Sequence, residues 1–480
     1  MNLFRNHPRQ STSADINSSV NFWKRWGVIC LWGLAMGSGD GQTVQWISTD
    51  RDHPWLVNTA PAITTGTALP PDAIQIHPDK PDQVIDGFGG CFNERGWDAL
   101  SCLPAEKQDE VIKALFSPTD GSRYTICRMP IGANDYAMDA YSLDDTPEDY
   151  DLKDFSLQRD HKYLIPYIQA AMKYDPDLKI WGVPWSPPAW MKVNHHYSSG
   201  EIRWEPKVLN AYAHYFARYV TEYQKLGIHV YAVHPQNEPA AKPQYPGCPW
   251  SGEHLRDFLK DYMIPVFQQE KIPAEIWLGT INDSNYQKYA GTAMADPFVR
   301  QNVTGIGYQW DGKKAIAEAH QQLPEKKLMQ TEAECGNGVN DYGRGLYTFS
   351  LIKHYLASGA NSFMYWNMVL DKTGVSSWGW RQNALITINR DTHTVTYNNE
   401  FYVMKHCSTA IDPGAKRVEL TGADDPKGLD GLAFINPDGH TVVIVANNGK
   451  DPKNITLGSG AKSFVATLQP ESINSFTASF

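Results

Sequence analysis

The chain has 480 residues, which is enough for two or three domains of ordinary size or for one large barrel with an added module. Lys and Arg number 43 against 53 Asp and Glu, so the formal net charge is −10, and this acidic balance argues against a nucleic-acid partner. The 16 Trp residues indicate either a heavily packed core or a site that stacks ring-shaped ligands.

The first predicted element is a secretion signal at residues 1–41. Lys24 and Arg25 precede an apolar run at 26–36 (WGVICLWGLAM), and a small, polar stretch follows at 37–42 (GSGDGQ), which is the order of a secretory signal peptide. The apolar run is shorter than the about 20 residues that a membrane-spanning helix needs, and no other segment supplies one. We therefore expect a secreted or periplasmic protein without stable membrane insertion.

Eight short apolar or β-branched runs alternate with amphipathic segments between residues 84 and 371. The runs begin at Val84, Tyr124, Lys179, Val230, Glu275, Val303, Lys327 and Ser362. The segments between them, such as residues 208–227, place apolar side chains at helical spacing. Eight β/α units over roughly 300 residues predict a (β/α)8 TIM barrel, which we assign to residues 81–405. A doubly wound α/β sheet is the alternative, but no GxGxxG motif or P-loop follows any strand.

The two ends of the chain lack this alternation. Residues 406–480 contain short strand-like runs broken by Gly, Pro, Asn and Asp, which predict an all-β module. Residues 42–80 are rich in Thr and Pro and carry further short strand-like pieces. We expect both ends to pair in one β-sandwich beside the barrel.

The cysteines indicate free thiols rather than a disulfide framework. One of the seven, Cys30, lies in the predicted signal, and the other six are widely and irregularly spaced with no CxxC pair. This spacing argues against a structural zinc site and against a dense set of disulfides. Buried free thiols are expected, with an isolated bridge as the alternative.

Two carboxylates occupy positions where a TIM barrel carries its active site, at the carboxyl ends of strands. Glu238 ends the fourth run in HPQNEP, and Glu332 lies at the end of the seventh in MQTEAE. Strands four and seven lie on opposite sides of an eight-stranded ring, so these side chains can face each other across its mouth. Such a pair suits glycoside hydrolysis, in which one carboxyl protonates the leaving oxygen and the other attacks the anomeric carbon. Glu334 is an alternative to Glu332 as the second catalytic carboxylate. It lies two residues further along the chain, so on a strand it would share the face of Glu332.

Six ordered motifs at these strand ends resemble glycoside hydrolase family 30, the family of lysosomal glucosylceramidase and fungal endo-β-1,6-glucanases. They are GFGG at 87–90, RMP at 128–130, WSPPAWMK from 185, QNEP from 236, TEAE from 331 and YWNMVLD from 365. The resemblance covers about residues 44–480. It implies a retaining enzyme with catalytic carboxylates on strands four and seven, and a β-sandwich built from both chain ends.

The resemblance also implies a role for individual residues. Glu238 matches the general acid/base and Glu332 the nucleophile, which leaves Glu334 as a bystander. Asn237 would bind the sugar 2-hydroxyl, and Arg128 would hold the nucleophile ionised; an ordinary salt bridge is the alternative for Arg128. Further implied contacts to the sugar come from residues at the barrel mouth, namely Asp135, Trp185, Trp310, Trp366, Trp380 and Asn383. A core-packing role is equally open for the tryptophans.

The substrate is expected to be a carbohydrate or a glycolipid. Residues 134–155 resemble the glucosidase and glucanase branches more than the xylanase branch, which favours a glucosylceramidase-like enzyme acting on β-glucosyl linkages. An endo-β-1,6-glucanase, a β-xylosidase or a β-fucosidase of the same family is the alternative. After strand six the glucosylceramidases carry His-Trp-Tyr, whereas this chain has Gln309-Trp310-Asp311, so its subsite contacts should differ.

Other classes of function fit the sequence less well. A metal-dependent hydrolase would need clustered ligands, but HExxH is absent, and the adjacent His195 and His196 would point apart. We therefore expect neither a metal nor a cofactor. A serine or cysteine nucleophile lacks a GxSxG motif or a recognisable setting. A non-catalytic carbohydrate-binding barrel would share the Trp excess, but it should lack one of the two carboxylates.

Overall fold

A computed structural model describes residues 43–66 and 68–480. The predicted secretion signal at 1–41 lies outside the described residues. Within the described part of the chain, no helix is both long enough and apolar enough to cross a membrane.

The strands fall into a barrel, a large sheet and a small sheet. In chain order they are β1 (Val44–Thr49), β2 (Leu56–Val57), β3 (Thr64–Thr65), β4 (Ile74–Val84), β5 (Gly87–Cys91), β6 (Ile126–Pro130), β7 (Lys179–Val183), β8 (Val230–Val233), β9 (Glu275–Ile281), β10 (Gly305–Gln309), β11 (Lys327–Glu332), β12 (Ser362–Asn367), β13 (Val369–Asp371), β14 (Ile386–Asn389), β15 (Thr394–Tyr397), β16 (Lys416–Thr421), β17 (Leu429–Ile435), β18 (Thr441–Asn447), β19 (Lys453–Ser459), β20 (Lys462–Leu468) and β21 (Ser472–Ala478).

Helices follow most of the barrel strands. They are α1 (Glu94–Leu100), α2 (Ala105–Phe116), α3 (Leu164–Met172), α4 (Pro206–Lys225), α5 (Gly252–Phe258), α6 (Ile264–Glu270), α7 (Thr292–Met294), α8 (Pro297–Asn302), α9 (Ile316–Gln322), α10 (Tyr342–Ala357) and α11 (Asn399–Ala410). A proline opens α4, where its fixed φ and missing N–H are tolerated. The buried side of α4 carries Val208, Tyr212 and Tyr219, at the spacing of one helix face.

Strands β5 to β12 close a parallel barrel, which confirms the predicted (β/α)8 fold. Each of the eight runs found in the sequence contributes one strand, and β12 closes the ring by pairing with β5. The GFGG motif forms β5, where a Cβ on Gly89 would lie 1.8 Å from the carbonyl oxygen of Ile126 on β6. Glycine is therefore required for the first two strands to approach each other. The eighth run is shorter than expected, because β12 ends at Asn367 and β13 pairs with β14 in the small sheet.

The β-sandwich takes strands from both ends of the chain, as the sequence predicts. Its strands run in the order β2-β1-β21-β18-β17-β16-β4-β19-β20-β3, so β1 lies beside β21 and β4 lies between β16 and β19. A hydrophobic core separate from that of the barrel fills this module, with Val44, Ile74, Val443 and Phe476 among its members. His406 on α11 contacts Thr49 and Ser475, which ties a helix of the barrel to the sandwich.

The six cysteines of the described residues are free thiols, in agreement with their spacing. Five of them are buried, namely Cys91, Cys127, Cys248, Cys335 and Cys407. Cys102 is partly exposed instead, because it lies just after the end of α1 at Leu100.

Candidate active site

Glu238 and Glu332 lie in different secondary structure at the barrel mouth: Glu332 ends a strand, whereas Glu238 lies in a loop. Glu332 is the last residue of β11. Glu238 does not end a strand, because β8 stops at Val233 and Glu238 follows five residues later in the loop. Its N–H donates to the carbonyl oxygen of Thr280 on β9 at 3.2 Å, and its φ is +47°. A left-handed conformation is uncommon for a residue with a side chain and often marks a functional position.

In the described part of the chain, the groups that donate hydrogen bonds to the Glu238 carboxyl are all neutral. The Tyr245 hydroxyl donates to Oε2 at 3.1 Å, and Gln309 Nε2 donates to Oε1 at 3.2 Å. The side chain is almost fully buried, and this burial, followed by the charge of Glu332, raises the pKa of Glu238 to about 7. Near neutral pH, Glu238 can therefore hold a proton or release it.

Glu332 has a more polar environment that includes a cation. Its Oε2 accepts from Arg128 Nη1 at 2.9 Å and from Gln309 Nε2 at 3.1 Å, and its Oε1 accepts from Trp310 Nε1 at 3.0 Å. Burial raises the pKa of Glu332, while Arg128, Trp310 and Gln309 oppose the rise by stabilising the carboxylate. Of the two glutamates, Glu332 is the one in contact with a cation, and this contact favours its charged form.

One amide nitrogen fixes an upper limit to the separation of the two carboxylates. Gln309 Nε2 lies 3.2 Å from Glu238 Oε1 and 3.1 Å from Glu332 Oε2. Because both distances start at the same atom, these two oxygens are at most 6.3 Å apart.

Arg128 is fully buried and joins Glu332 to Asn237. On the side opposite to Glu332, its Nη2 donates to Asn237 Oδ1 at 2.5 Å. The guanidinium lies over aromatic rings, with its central carbon 4.4 Å from the ring centre of Trp185 and 5.1 Å from that of Trp366. Such cation–π contacts stabilise a buried cation, so rings as well as the salt bridge to Glu332 hold Arg128 in place.

Asp135 is a third carboxyl group near the pair. Its side chain is nearly buried, and its Oδ1 has no hydrogen-bond partner among the described residues. Burial, with added repulsion from Glu332 and Glu238, raises the pKa of Asp135 well above its ordinary range. An unpartnered buried oxygen is costly unless a ligand satisfies it, which is consistent with the expected contact to a sugar hydroxyl.

The tryptophans expected at the site lie at different depths. Trp310 is partly exposed at the end of β10, and Trp380 is partly exposed with its ring 5.1 Å from that of Tyr245. Trp185 and Trp366 are almost completely buried, with ring centres 5.4 Å apart. Trp366 therefore packs against Arg128 and has no exposed face for a sugar.

Asn383 does not have the surroundings of a pocket wall. It is fully buried, its Nδ2 donates to Glu400 at 2.7 Å, and its Oδ1 accepts from the Gly338 N–H at 2.8 Å. Both ends of its amide are used within the protein. The resemblance implies that Asn383 lies at the barrel mouth, but it carries no information on how deeply the side chain is buried.

The structure separates Glu332 from Glu334. The expectation that they share a strand face is wrong, because β11 ends at Glu332 and the alternation of side chains ends with it. Glu334 instead forms an ion pair with Lys313 and accepts a hydrogen bond from the Tyr347 hydroxyl. It makes no contact with Glu238 or Arg128.

Two contacts of the carboxylates had not been predicted from the sequence. The sequence marks Gln309 only as a departure from the family pattern, although Gln309 contacts both glutamates. Tyr245 lies in the irregular loop after Glu238, where no periodicity marks a functional position. Within residues 43–66 and 68–480, no group of three or more His, Cys, Asp or Glu side chains is arranged to hold a metal ion.

Most glycoside hydrolases cleave the O-glycosidic bond with two carboxyl groups that flank it, and this barrel mouth holds such a pair. The protein is an O-glycosyl hydrolase of the TIM-barrel type. A family model described as the glycosyl hydrolase family 30 TIM-barrel domain matches residues 85–411. A second model, described as the glycosyl hydrolase family 30 beta sandwich domain, matches residues 414–476. The chain belongs to glycoside hydrolase family 30, and the resemblance seen in its motifs is confirmed.

Individual relatives agree with this assignment. The chain is 30% identical to putative glucosylceramidase 2 of Caenorhabditis elegans over 426 residues, which are 83% of this chain and 82% of the relative. It is 27% identical to the lysosomal acid glucosylceramidase of Mus musculus, over 86% of this chain and 84% of that protein. Among solved structures, the endo-beta1,6-glucanase BT3312 matches with a TM-score of 0.82 and 25% identity, over 91% of this chain and 99% of that one.

Proposed function

We propose that the protein is a retaining β-glycosidase that acts on β-glucosyl linkages by double displacement. The observation that carries this proposal is the single amide nitrogen that contacts both carboxylates, because it places Glu238 Oε1 and Glu332 Oε2 at most 6.3 Å apart. Carboxyl pairs of retaining enzymes are about 5–5.5 Å apart, whereas inverting pairs need about 6.5–9.5 Å to admit a water molecule.

The different surroundings of the two glutamates support different roles for them. Glu332 is stabilised as an anion by Arg128 and attacks the anomeric carbon, forming a glycosyl ester. Glu238 keeps its proton near neutral pH and gives it to the glycosidic oxygen as the bond from carbon to that oxygen breaks. In the second step the ionised Glu238 takes a proton from water, whose oxygen attacks the same carbon and releases Glu332.

The surrounding residues support recognition of a sugar. Asn237 Oδ1 already accepts from Arg128, from the Thr280 hydroxyl and from Gln309. Its Nδ2 is therefore the end of the amide that is left to donate to the sugar 2-hydroxyl. We propose that Asp135 binds a second hydroxyl, while the partly exposed Trp310 and Trp380 contact the sugar ring. Trp185 is almost as deeply buried as Trp366, so it supports the site by packing on Arg128.

The relatives' names support a glucosylceramidase-like β-glucosidase with a glycolipid or carbohydrate substrate. A cavity beside Glu238 favours endo-β-1,6-glucanase activity as a second candidate. It measures about 600 Å³ and begins at Pro239 and Ala240, the two residues after Glu238. Most of its other lining residues are polar, among them Glu201, Lys242, His254 and Lys288. These side chains offer hydrogen-bond partners to the hydroxyls of a sugar leaving group, which supports the second candidate. From the N-terminal pattern alone, we propose a secreted or periplasmic location.

Proton NMR of the first product tests the proposed function. The protein is incubated with aryl β-glucosides, β-xylosides, β-galactosides and β-fucosides, and the anomer that forms before mutarotation is recorded. We expect the β-glucoside to react and the β-anomer to form first, since two displacements restore the configuration. An α-anomer formed first would contradict the double displacement. Inactivity on the aryl glycosides together with cleavage of β-1,6-glucan would favour the second candidate.

The pH dependence of kcat/KM is expected to be bell-shaped, with its alkaline limb near pH 7. Glu238 must be protonated to act as the acid, so kcat/KM should fall about tenfold per pH unit above its pKa. The acid limb belongs to Glu332, which must be ionised to attack. The profile is measured with an aryl β-glucoside of poor leaving group. The Glu238→Ala variant serves as the control, and an alkaline limb that persists in this variant would argue against the assignment.

A further inference from the structure

We infer that Gln309 is the positioning residue that sets both the spacing and the acidity of the carboxylate pair. This inference rests on the proposed roles of Glu238 and Glu332. Gln309 is fully buried at the end of β10, and its Nε2 lies within 3.2 Å of an oxygen of each glutamate. The same nitrogen also lies 3.2 Å from Asn237 Oδ1. No other described side chain donates a hydrogen bond to both glutamates.

The other end of the amide fixes its orientation. Gln309 Oε1 accepts from Arg128 Nη1 at 3.2 Å and from the Thr331 hydroxyl at 2.8 Å. A guanidinium can only donate, so a flipped amide would place its NH2 group against Arg128 and turn an acceptor towards the two carboxylates. Arg128 therefore holds the NH2 group of Gln309 towards the catalytic pair.

An irregular strand register brings Gln309 to this place. Along β10 and β11, Tyr308 pairs with Gln330, but the next residue, Gln309, pairs with Glu332. The register thus skips Thr331, as it would at a β-bulge. Bulges change the direction of side chains and are common next to active sites. With a regular register, Gln309 would pair with Thr331 and would not lie opposite the nucleophile.

The hydrogen bonds that the neutral Gln309 amide donates lower the pKa of both carboxyl groups. A hydrogen bond to the charged form of a carboxyl stabilises that form and lowers its pKa. Gln309 opposes the rise in pKa that burial causes at Glu238 and at Glu332. The amide itself has no proton to gain or lose in the working range, so it holds the pair without adding a titration of its own.

The test is a titration of the two carboxyls that does not depend on turnover. Glutamate carboxyl carbons are labelled with ¹³C in the full chain, their NMR signals are assigned with Glu238→Gln and Glu332→Gln, and both pKa values are measured in Gln309→Met. We expect both values to rise by about one pH unit, because each carboxylate loses a donor. Gln309→Asn keeps an amide, but its side chain is one methylene too short to reach both oxygens. It should raise the pKa values of both glutamates by less than Gln309→Met does.

The control is Gln330→Met, since Gln330 is also buried in the barrel but its Oε1 accepts only from the Met364 N–H. Unchanged pKa values in both Gln309 variants, or equal shifts in Gln330→Met, would overturn the inference. In activity assays, Gln309→Met should lower kcat about 10²-fold, the cost of a misplaced reacting group. An inactive wild-type protein with shifted pKa values would reject the proposed function and leave the role of Gln309 in the pair supported.

Discussion

Replacing Glu332 with Gln is expected to reduce turnover of every substrate by about 10⁴-fold or more, the scale of losing a covalent nucleophile. An amide cannot form the glycosyl ester that double displacement requires. The variant should keep its fold, because the amide oxygen can still accept the hydrogen bond from Arg128. Steady-state kinetics on an aryl β-glucoside, together with a thermal unfolding curve, measures both effects.

Glu334→Gln is the matched control for this variant. It makes the same chemical change two residues away, at a carboxylate that is paired with Lys313 and Tyr347 and has no contact with Glu238. We expect its turnover to stay within about twofold of the wild type, since partly exposed ion pairs contribute little. Equal loss in both variants, or loss only at Glu334, would overturn the assignment of the nucleophile.

Replacing Glu238 with Ala is expected to separate substrates according to their leaving groups. Alkyl β-glucosides need a proton on the leaving oxygen, and their turnover should fall by about 10²–10⁴-fold, the usual contribution of general acid catalysis. Activated aryl glycosides leave as stable anions, so Glu332 should still form the glycosyl ester with them at nearly the wild-type rate. The ester then accumulates, because no base activates water. Pre-steady-state release of the aryl group measures the first step.

Azide provides the second part of the Glu238 experiment. This anion attacks the anomeric carbon without the help of a base, so it should restore turnover of the aryl substrate and give a β-glycosyl azide. Wild-type protein under the same conditions should give the sugar alone, because its base activates water. The acid/base role of Glu238 would be rejected if azide gave no rate increase in the variant, or if aryl and alkyl substrates lost activity equally.

The barrel could be predicted from the sequence because its signal is local and repeated. Each strand is a short apolar run, and each helix carries apolar residues at helical spacing. Eight such units in a row are compatible with few folds. The exact ends of the strands could not be predicted in this way. Glu238 lies in a left-handed loop conformation beyond β8, and Glu334 lies beyond β11, so strand alternation places neither residue correctly.

At the site, the motifs identified residue types but not their environments. Arg128 and Glu332 lie in direct contact, as the family pattern implied. The same resemblance implied sugar contacts from Trp366 and Asn383, yet both side chains are buried completely. Depth of burial depends on how distant loops pack, and one sequence does not contain that information. The bridge made by Gln309 depends on a register shift between two strands, which no local pattern reveals.

The pairing of β1 with β21 has a consequence for the order in which the protein can fold during synthesis. Trp46 on β1 bonds Asn474 on β21, a partner 428 residues away, and every barrel strand lies between them in the chain. The other neighbour of β1 is β2, which has only two residues. A ribosome therefore releases the whole barrel while β1 still has an open edge, and such an edge attracts other unpaired strands. The sandwich closes last, and the newly made chain depends on β21 to cover β1.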